Sequence, residues 1–154
     1  MRLMLNLYPP FLCGRIRLVS VGPGCRTVRV VVKRSLLTRN LNGTTFGGTI
    51  YTAADPIYSV LYWQALARRG EVLQVWLKGA RIDFRRPAAT ALTLDFEVTE
   101  ADLDEALAVL DRDGRVVRTH RTEAFDRAGE LCAVIETDVY MRRPRGGQRE
   151  VSGF

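Results

Sequence analysis

Asp55 is the first acidic residue of the chain, and the segment around it, GGTIYTAADPIYSVLYWQALARRG, is almost entirely apolar. A carboxylate in such company is costly unless partnered. Burial raises its pKa and nearby donors lower it, and a carboxylate poised by that balance is equipped to act as a general base or a nucleophile. Gly48, Thr52, Asp55 and Ser59 recur at the spacing of one helical stripe, on which Asp55 is the ionisable group. At the start of the same segment Gly47 and Gly48 carry no side chain to keep a ligand off the backbone. Free N–H groups in a first helical turn can hold a carbonyl oxygen as it gains negative charge. Asp55-Pro56 admits a second reading: Asp before Pro is a common helix start, in which Asp55 caps a helix beginning at Pro56 and only accepts a backbone hydrogen bond.

The stripe requires a helix over Gly47–Arg69, with Gly70 as its stop and Arg68-Arg69 suited to the negative end of its dipole. Ile50, Ala53, Ala54, Ile57, Val60, Leu61, Leu66 and Ala67 cover most of its circumference, which predicts burial nearly all round, with Pro56 as a local kink. Upstream, Arg15–Val21 and Arg26–Lys33 alternate apolar and polar residues across a Gly22-Pro23-Gly24 turn, the pattern of a hairpin. Ser35–Phe46 has the chemistry of a loop. Downstream, a strand from Leu73 toward Pro87 puts Trp76, Ala80, Ile82 and Phe84 on one face, and the next puts Leu92, Leu94, Phe96 and Val98 on one face. A short helix follows from Thr99 to about Leu110, then strands Arg115–Phe125 and Leu131–Met141. Tyr51, Tyr58, Tyr62 and Trp63 are expected to line the core or an interface, and His120, the single histidine, to sit at the surface or a sheet edge.

At 154 residues the chain fits one domain, taken as residues 1–143 with a disordered tail over 144–154. Hydrophobic residues at 47% and charged residues at 26% argue against disorder of the body of the chain. Cys13, Cys25 and Cys132 show no metal-ligand or disulfide spacing, so reduced thiols and no metal are expected. The apolar N-terminus is broken by Asn6 and Pro9-Pro10, which suits a docking helix rather than a signal peptide, and no run is long enough to span a bilayer. A cytoplasmic protein with no membrane partner is expected. The net charge of +6 is uneven: Arg2, Arg15, Arg17, Arg26, Arg29, Lys33, Arg34 and Arg39 all precede the first acid. Such a surface suits nucleic acid, anionic lipid or a nucleotide-tailed small molecule, or it is merely the solvated edge of a sheet. Nucleic acid rests on charge alone and is not expected.

The run Asn40-Leu41-Asn42-Gly43-Thr44-Thr45-Phe46-Gly47-Gly48, followed by Asp55, resembles the phenylacetate-pathway branch of the hotdog-fold acyl-CoA thioesterases, whose pattern is approximately N-x-x-G-T-x-H-G-G with an Asp seven residues later. Asn40, Gly43, Thr44, Gly47, Gly48 and Asp55 match in register. Trp76 to Pro87 resembles the strand after the helix in an uncharacterised relative of these enzymes. The resemblance covers most of Arg15 to Arg143. It implies an α+β hotdog fold, a curved antiparallel sheet of about six strands wrapped around one long helix. It also implies hydrolysis of an acyl-CoA-like thioester without a cofactor, at sites between subunits of a homodimer or homotetramer. By that resemblance Asp55 activates water or attacks the thioester, a Gly47 or Gly48 N–H polarises its carbonyl, and Asn40 positions water. Thr44, Phe46, Thr52 and Ser59 are then expected to face the substrate. Phe46 stands where the pattern has His, and Pro56 follows the Asp. Those departures keep a second function open, a non-catalytic acyl or acyl-CoA binding protein. Hotdog hydratases pair their Asp with a His shortly downstream, and none follows Asp55 here.

Overall fold

The computed structural model describes residues 1–144, so residues 145–154, most of the expected tail, lie outside the described residues. Two short helices, α1 (Arg2–Leu7) and α2 (Pro9–Cys13), precede strands β1 (Ile16–Val21) and β2 (Thr27–Val32). Helices α3 (Gly47–Ala54) and α4 (Ile57–Ala67) follow. Then come β3 (Gln74–Phe84), β4 (Leu92–Glu97), α5 (Glu100–Asp113), β5 (Arg115–Phe125) and β6 (Leu131–Arg142). The six strands form one antiparallel sheet in the order β1-β2-β4-β5-β6-β3. With the α3–α4 rod packed across one face of it, this is the hotdog fold, an α+β architecture.

Alternation dictates the core. Val28, Val30 and Val32 from β2 and Leu92, Leu94 and Phe96 from β4 point to the same side of the sheet and meet Ala53, Ile57, Leu61 and Leu66 of the rod, all buried. The rod starts where expected and stops where expected, at Gly70 with φ +86°. Its continuity is broken at Asp55-Pro56. Proline has no N–H to offer the carbonyl four residues back and its ring crowds that carbonyl, so regular helix ends at Ala54 and resumes at Ile57. Asp55 is no N-cap: its backbone is helical (φ −44°, ψ −57°) and its N–H donates to the Tyr51 carbonyl at 2.9 Å.

Two further expectations need correction. Trp76 does not share a face with Ala80, Ile82 and Phe84. In β3 the pairing passes from Leu77 opposite Val139 to Gly79 opposite Asp138, so Lys78 is an extra residue that inverts the alternation. Trp76 therefore lies on the outer face against Tyr140 (ring centroids 5.0 Å apart), with the Arg142 guanidinium over it, while Ala80, Ile82 and Phe84 face the rod's side. His120 is not at the surface: among the described residues β5 pairs with β4 only at Ala124 and Phe125 and with β6 alone at His120, but the half-buried imidazole points under α4. Helix α5 runs to Asp113, past the expected end at about Leu110, because Gly114 at φ +70° supplies the turn. Thr99 and Asp102 form a reciprocal capping box at its start.

The two sheet edges differ. Along β1, the Asn6 side chain acts as a strand surrogate, accepting from Leu18 N–H at 2.8 Å and donating to its carbonyl at 3.1 Å. β3 at the other edge pairs, among the described residues, with β6 alone. Among the described residues no helix is long and apolar enough to cross a membrane.

Candidate active site

The sheet covers the rod on one side only, so the stripe that reads as buried in sequence is the rod's open side. Gly48, Thr52 and Asp55 are half-buried, Ser59 is 9% exposed, and Tyr51 and Trp63 beside them are exposed. The Asp55 carboxylate makes no hydrogen bond or ion pair among the described residues, and burial pushes it above the ordinary carboxylate value of 3.8. Thr52 spends its hydroxyl hydrogen on the Gly48 carbonyl at 2.8 Å. Ser59 Oγ is buried without a partner among the described residues.

Ahead of the rod, the loop after β2 is built for rigidity. Ser35 and Thr38 cap a single turn reciprocally, and Phe46 N–H donates to the Thr38 carbonyl at 2.8 Å. Asn40 Oδ1 accepts from the N–H groups of Asn42 and Thr44, and its Nδ2 donates to Thr44 Oγ1 at 2.9 Å. Asn40 and Thr44 thus shape the loop that delivers the chain to Gly47, and the Asn40 amide is largely committed there rather than offered to water. Phe46 is the N-cap residue with an extended backbone (ψ 129°), and no hydrogen bond among the described residues uses the Gly47 or Gly48 N–H.

Both glycines lie beneath aromatic rings. A Cβ on Gly47 would lie 2.7 Å from the tip of the Phe84 ring, and one on Gly48 would lie 2.4 Å from the Phe46 ring. Asn40, Thr44 and Gly47 open on one cleft of about 390 Å³, walled also by Ile50, Phe84 and the 85–88 segment. Asp55, Thr52 and Ser59 do not line it. Eight residues at 1.5 Å each separate Gly47 from Asp55 by roughly 12 Å along the axis. Phe84 was legible as a strand residue, but nothing in its spacing marked it as the ring over Gly47.

A second polar cluster was missed in the sequence. Tyr62 Oη lies 2.9 Å from His120 Nε2, Tyr58 stacks on the imidazole at 4.3 Å, and Tyr58 Oη lies 2.9 Å from Thr122 Oγ1. A lone histidine among charged strand neighbours gave no signal for this, because the partners come from α4, some sixty residues earlier. Burial holds His120 below its ordinary 6.5, against the pull of Asp102. A histidine depressed in the folded state stabilises the fold fully above 6.5, and that contribution declines as pH falls through the folded value. Thermal midpoints measured from about pH 8 to about pH 5 are therefore expected to fall, and His120→Gln to flatten the fall.

Several solved structures share this architecture. The Pseudomonas aeruginosa protein PA5026, of unknown function, superimposes with a TM-score of 0.79 at 16% identity over 92% of each chain. Thioesterase HI1161 from Haemophilus influenzae gives 0.70 at 14% identity over 94% of this chain and 91% of its own. The E. coli PaaI protein of the phenylacetic acid degradation operon gives 0.61 at 16% identity over 94% and 90%. No curated protein matches the chain. The structural neighbours thus include a thioesterase and PaaI, and at these identities the likeness is one of fold. A family model described as a domain of unknown function, DUF4442, matches residues 1–140, and the chain belongs to that family.

Proposed function

We propose that the chain hydrolyses acyl-CoA-like thioesters at sites shared by two copies of itself. The observation that carries the reading is the unpartnered, half-buried Asp55 carboxylate, raised by burial, on the open side of a rod whose first turn offers unused N–H groups. A thioester carbonyl resting on the Gly47 N–H lies too far along the axis from the Asp55 of its own chain for that carboxylate to act on it. Asp55 therefore comes from a second copy, and the uncovered edge of β3 is where two sheets can join. At least a homodimer follows from this reading, with a homotetramer compatible.

The chemistry then balances with these groups. Asp55 takes a proton from water as the oxygen bonds to the thioester carbon. The Gly47 N–H, and Gly48 beside it, stabilise the oxyanion. Collapse of the adduct breaks the C–S bond, and the proton on Asp55 leaves with the thiolate, giving a carboxylic acid and a thiol. Thr52 flanks Asp55 on the substrate side, Ser59 keeps its Oγ buried, Asn40 and Thr44 hold the loop, and Phe46 roofs the entrance. The free Cys13, Cys25 and Cys132 suit a reducing compartment, the cytoplasm.

Purified protein mixed with a panel of acyl-CoAs and a thiol reagent tests the proposal; absence of thiol release across the panel overturns it. A second reading is favoured by one observation. The Phe46 ring lies over Gly48 where a polar side chain would serve catalysis better, as befits a non-catalytic acyl-binding protein. A non-hydrolysable acyl-CoA analogue that raises the thermal midpoint, with no turnover of any thioester, would establish it.

A further inference from the structure

A second cleft, of about 500 Å³, opens beside the first: Ala89 and Thr90 wall it where Pro87 and Ala88 wall its neighbour. Lys33, Arg34 and Arg127, all exposed, converge on it. Other cations of the sheet and its loops are either paired or, like Arg17, Lys78, Arg81 and Arg115, lie away from this cleft. Arg29 is paired with Asp95, Arg85 with Asp83, Arg86 with Glu130 and Arg121 with Glu123. Among the described residues Lys33, Arg34 and Arg127 have no carboxylate partner, and no acidic side chain lines the cleft. Asp126, next to Arg127 in sequence, is turned into its own loop, where its Oδ1 accepts from the Ala128 and Glu130 N–H groups.

The cluster is also held in place. Arg34 grips the Gly43 carbonyl through Nη2 at 2.6 Å and Nε at 3.3 Å, and Nη1 makes no hydrogen bond among the described residues. The backbone of Arg127 is fixed by its N–H on Thr90 Oγ1 at 3.1 Å. Gly43 belongs to the turn that Asn40 and Thr44 organise, so Arg34 bridges the loop of the first cleft and the wall of the second. Three cations around one concavity repel one another until a polyanion enters.

We propose that this cleft binds the phosphates of the thioester's carrier, a 3′-phosphorylated adenosine diphosphate of the coenzyme A type, and that Lys33, Arg34 and Arg127 select that carrier. The inference rests on the thioesterase reading and extends it from the bond broken to the group that brings the bond in. An acidic carrier protein would meet the same charges, but a cleft of this size fits a nucleotide rather than the convex surface of a protein.

Adenosine 3′,5′-bisphosphate carries the phosphates without a thioester, so its binding is independent of hydrolysis. Calorimetric titration is expected to show binding that weakens with added salt and is at least about tenfold weaker in the combined Lys33→Gln, Arg34→Gln, Arg127→Gln protein. The paired and exposed Arg29→Gln serves as the control and is expected to bind as the wild type does. In kinetics the combined variant is expected to raise KM for acyl-CoA, and the Lys33→Gln, Arg127→Gln protein, which keeps the Arg34–Gly43 contact, to raise it while leaving hydrolysis of the matching acyl-N-acetylcysteamine unchanged. Bisphosphate affinity equal in the wild type and the combined variant overturns the proposal. So does a loss confined to thioesters borne on an acidic carrier protein. Bisphosphate binding that depends on these three residues, in a protein that hydrolyses nothing, upholds the cleft and overturns only the thioesterase reading.

Discussion

Asp55→Asn is expected to lower kcat for thioester hydrolysis by about 10²–10⁴-fold while leaving the fold at least as stable as before. The two halves of that result have one cause. The carboxylate is half-buried and unpartnered among the described residues, so in the proposed reaction it would serve as base at the expense of an unrelieved charge. Asn has nearly the same shape and no charge, and it cannot take the proton from water. For stability, a carboxyl whose pKa is raised on folding favours the fold most below 3.8, where both states are protonated. That advantage is lost as pH rises through the higher folded value. The variant has nothing to lose over this window. The difference in thermal midpoint, variant minus wild type, should therefore grow in the variant's favour as pH climbs past 3.8 and level off once the folded carboxyl is ionised. The acidic limb of the wild-type pH–rate profile should lie above 3.8 for the same reason. A variant that is less stable at neutral pH, or that retains full activity, would remove Asp55 from the role of base.

Gly47→Pro and Asp55→Asn, each nearly inactive alone, are expected to restore activity when mixed. Proline is accepted at the first helical position, and the extended backbone of Phe46 is what a residue before proline prefers, so Gly47→Pro deletes the N–H without unseating the rod. The Phe84 ring is 56% exposed and has room to swing from the new ring carbons. Losing one oxyanion donor should cost about 10²–10³ in kcat. If each site takes its N–H from one chain and its carboxylate from the other, a mixed dimer holds one site with both lesions and one with neither. Free exchange of chains makes half of the dimers mixed, so specific activity should approach about one quarter of the wild type. Sites contained within single chains would show no recovery at any mixing ratio, which makes the titration of one variant into the other a direct test.

The rod and the strands were legible because their periods are long and clean. An apolar segment begun by two glycines and closed by Gly70 can be little else, and valines alternating along β2 fix which face is inward. What escaped reading has in each case a local cause. Pro56 was visible as a kink, but only the backbone shows that Asp55 stays helical across it instead of capping. Trp76 was assigned to the wrong face because one inserted residue inverts a period of two, and Lys78 has no composition that announces a bulge. His120 was misplaced since its burial comes from Tyr58 and Tyr62 of α4, a distant contact that a period does not carry. Asn40 was found by pattern, yet its amide serves the loop that presents the glycines. The open side of the rod was read as buried because Tyr51 and Trp63, exposed there, look in the sequence like residues of a core.

The extra residue in β3 has a further effect, on which insertions and deletions the chain can tolerate. Gln74–Leu77 and Gly79–Phe84 alternate with opposite parity against β6, so no uniform slide of the strand satisfies both halves. A slipped pairing that kept Ala80 and Ile82 on the rod's side would turn Val75 and Leu77 away from it, and the reverse. Deleting Lys78 would leave the composition almost intact, yet would turn Trp76 inward beneath the rod and push Val75 and Leu77 out. The bulge thus acts as a reading-frame marker for the strand at the open edge: of all the threadings β3 could try while the chain folds, it leaves one that closes.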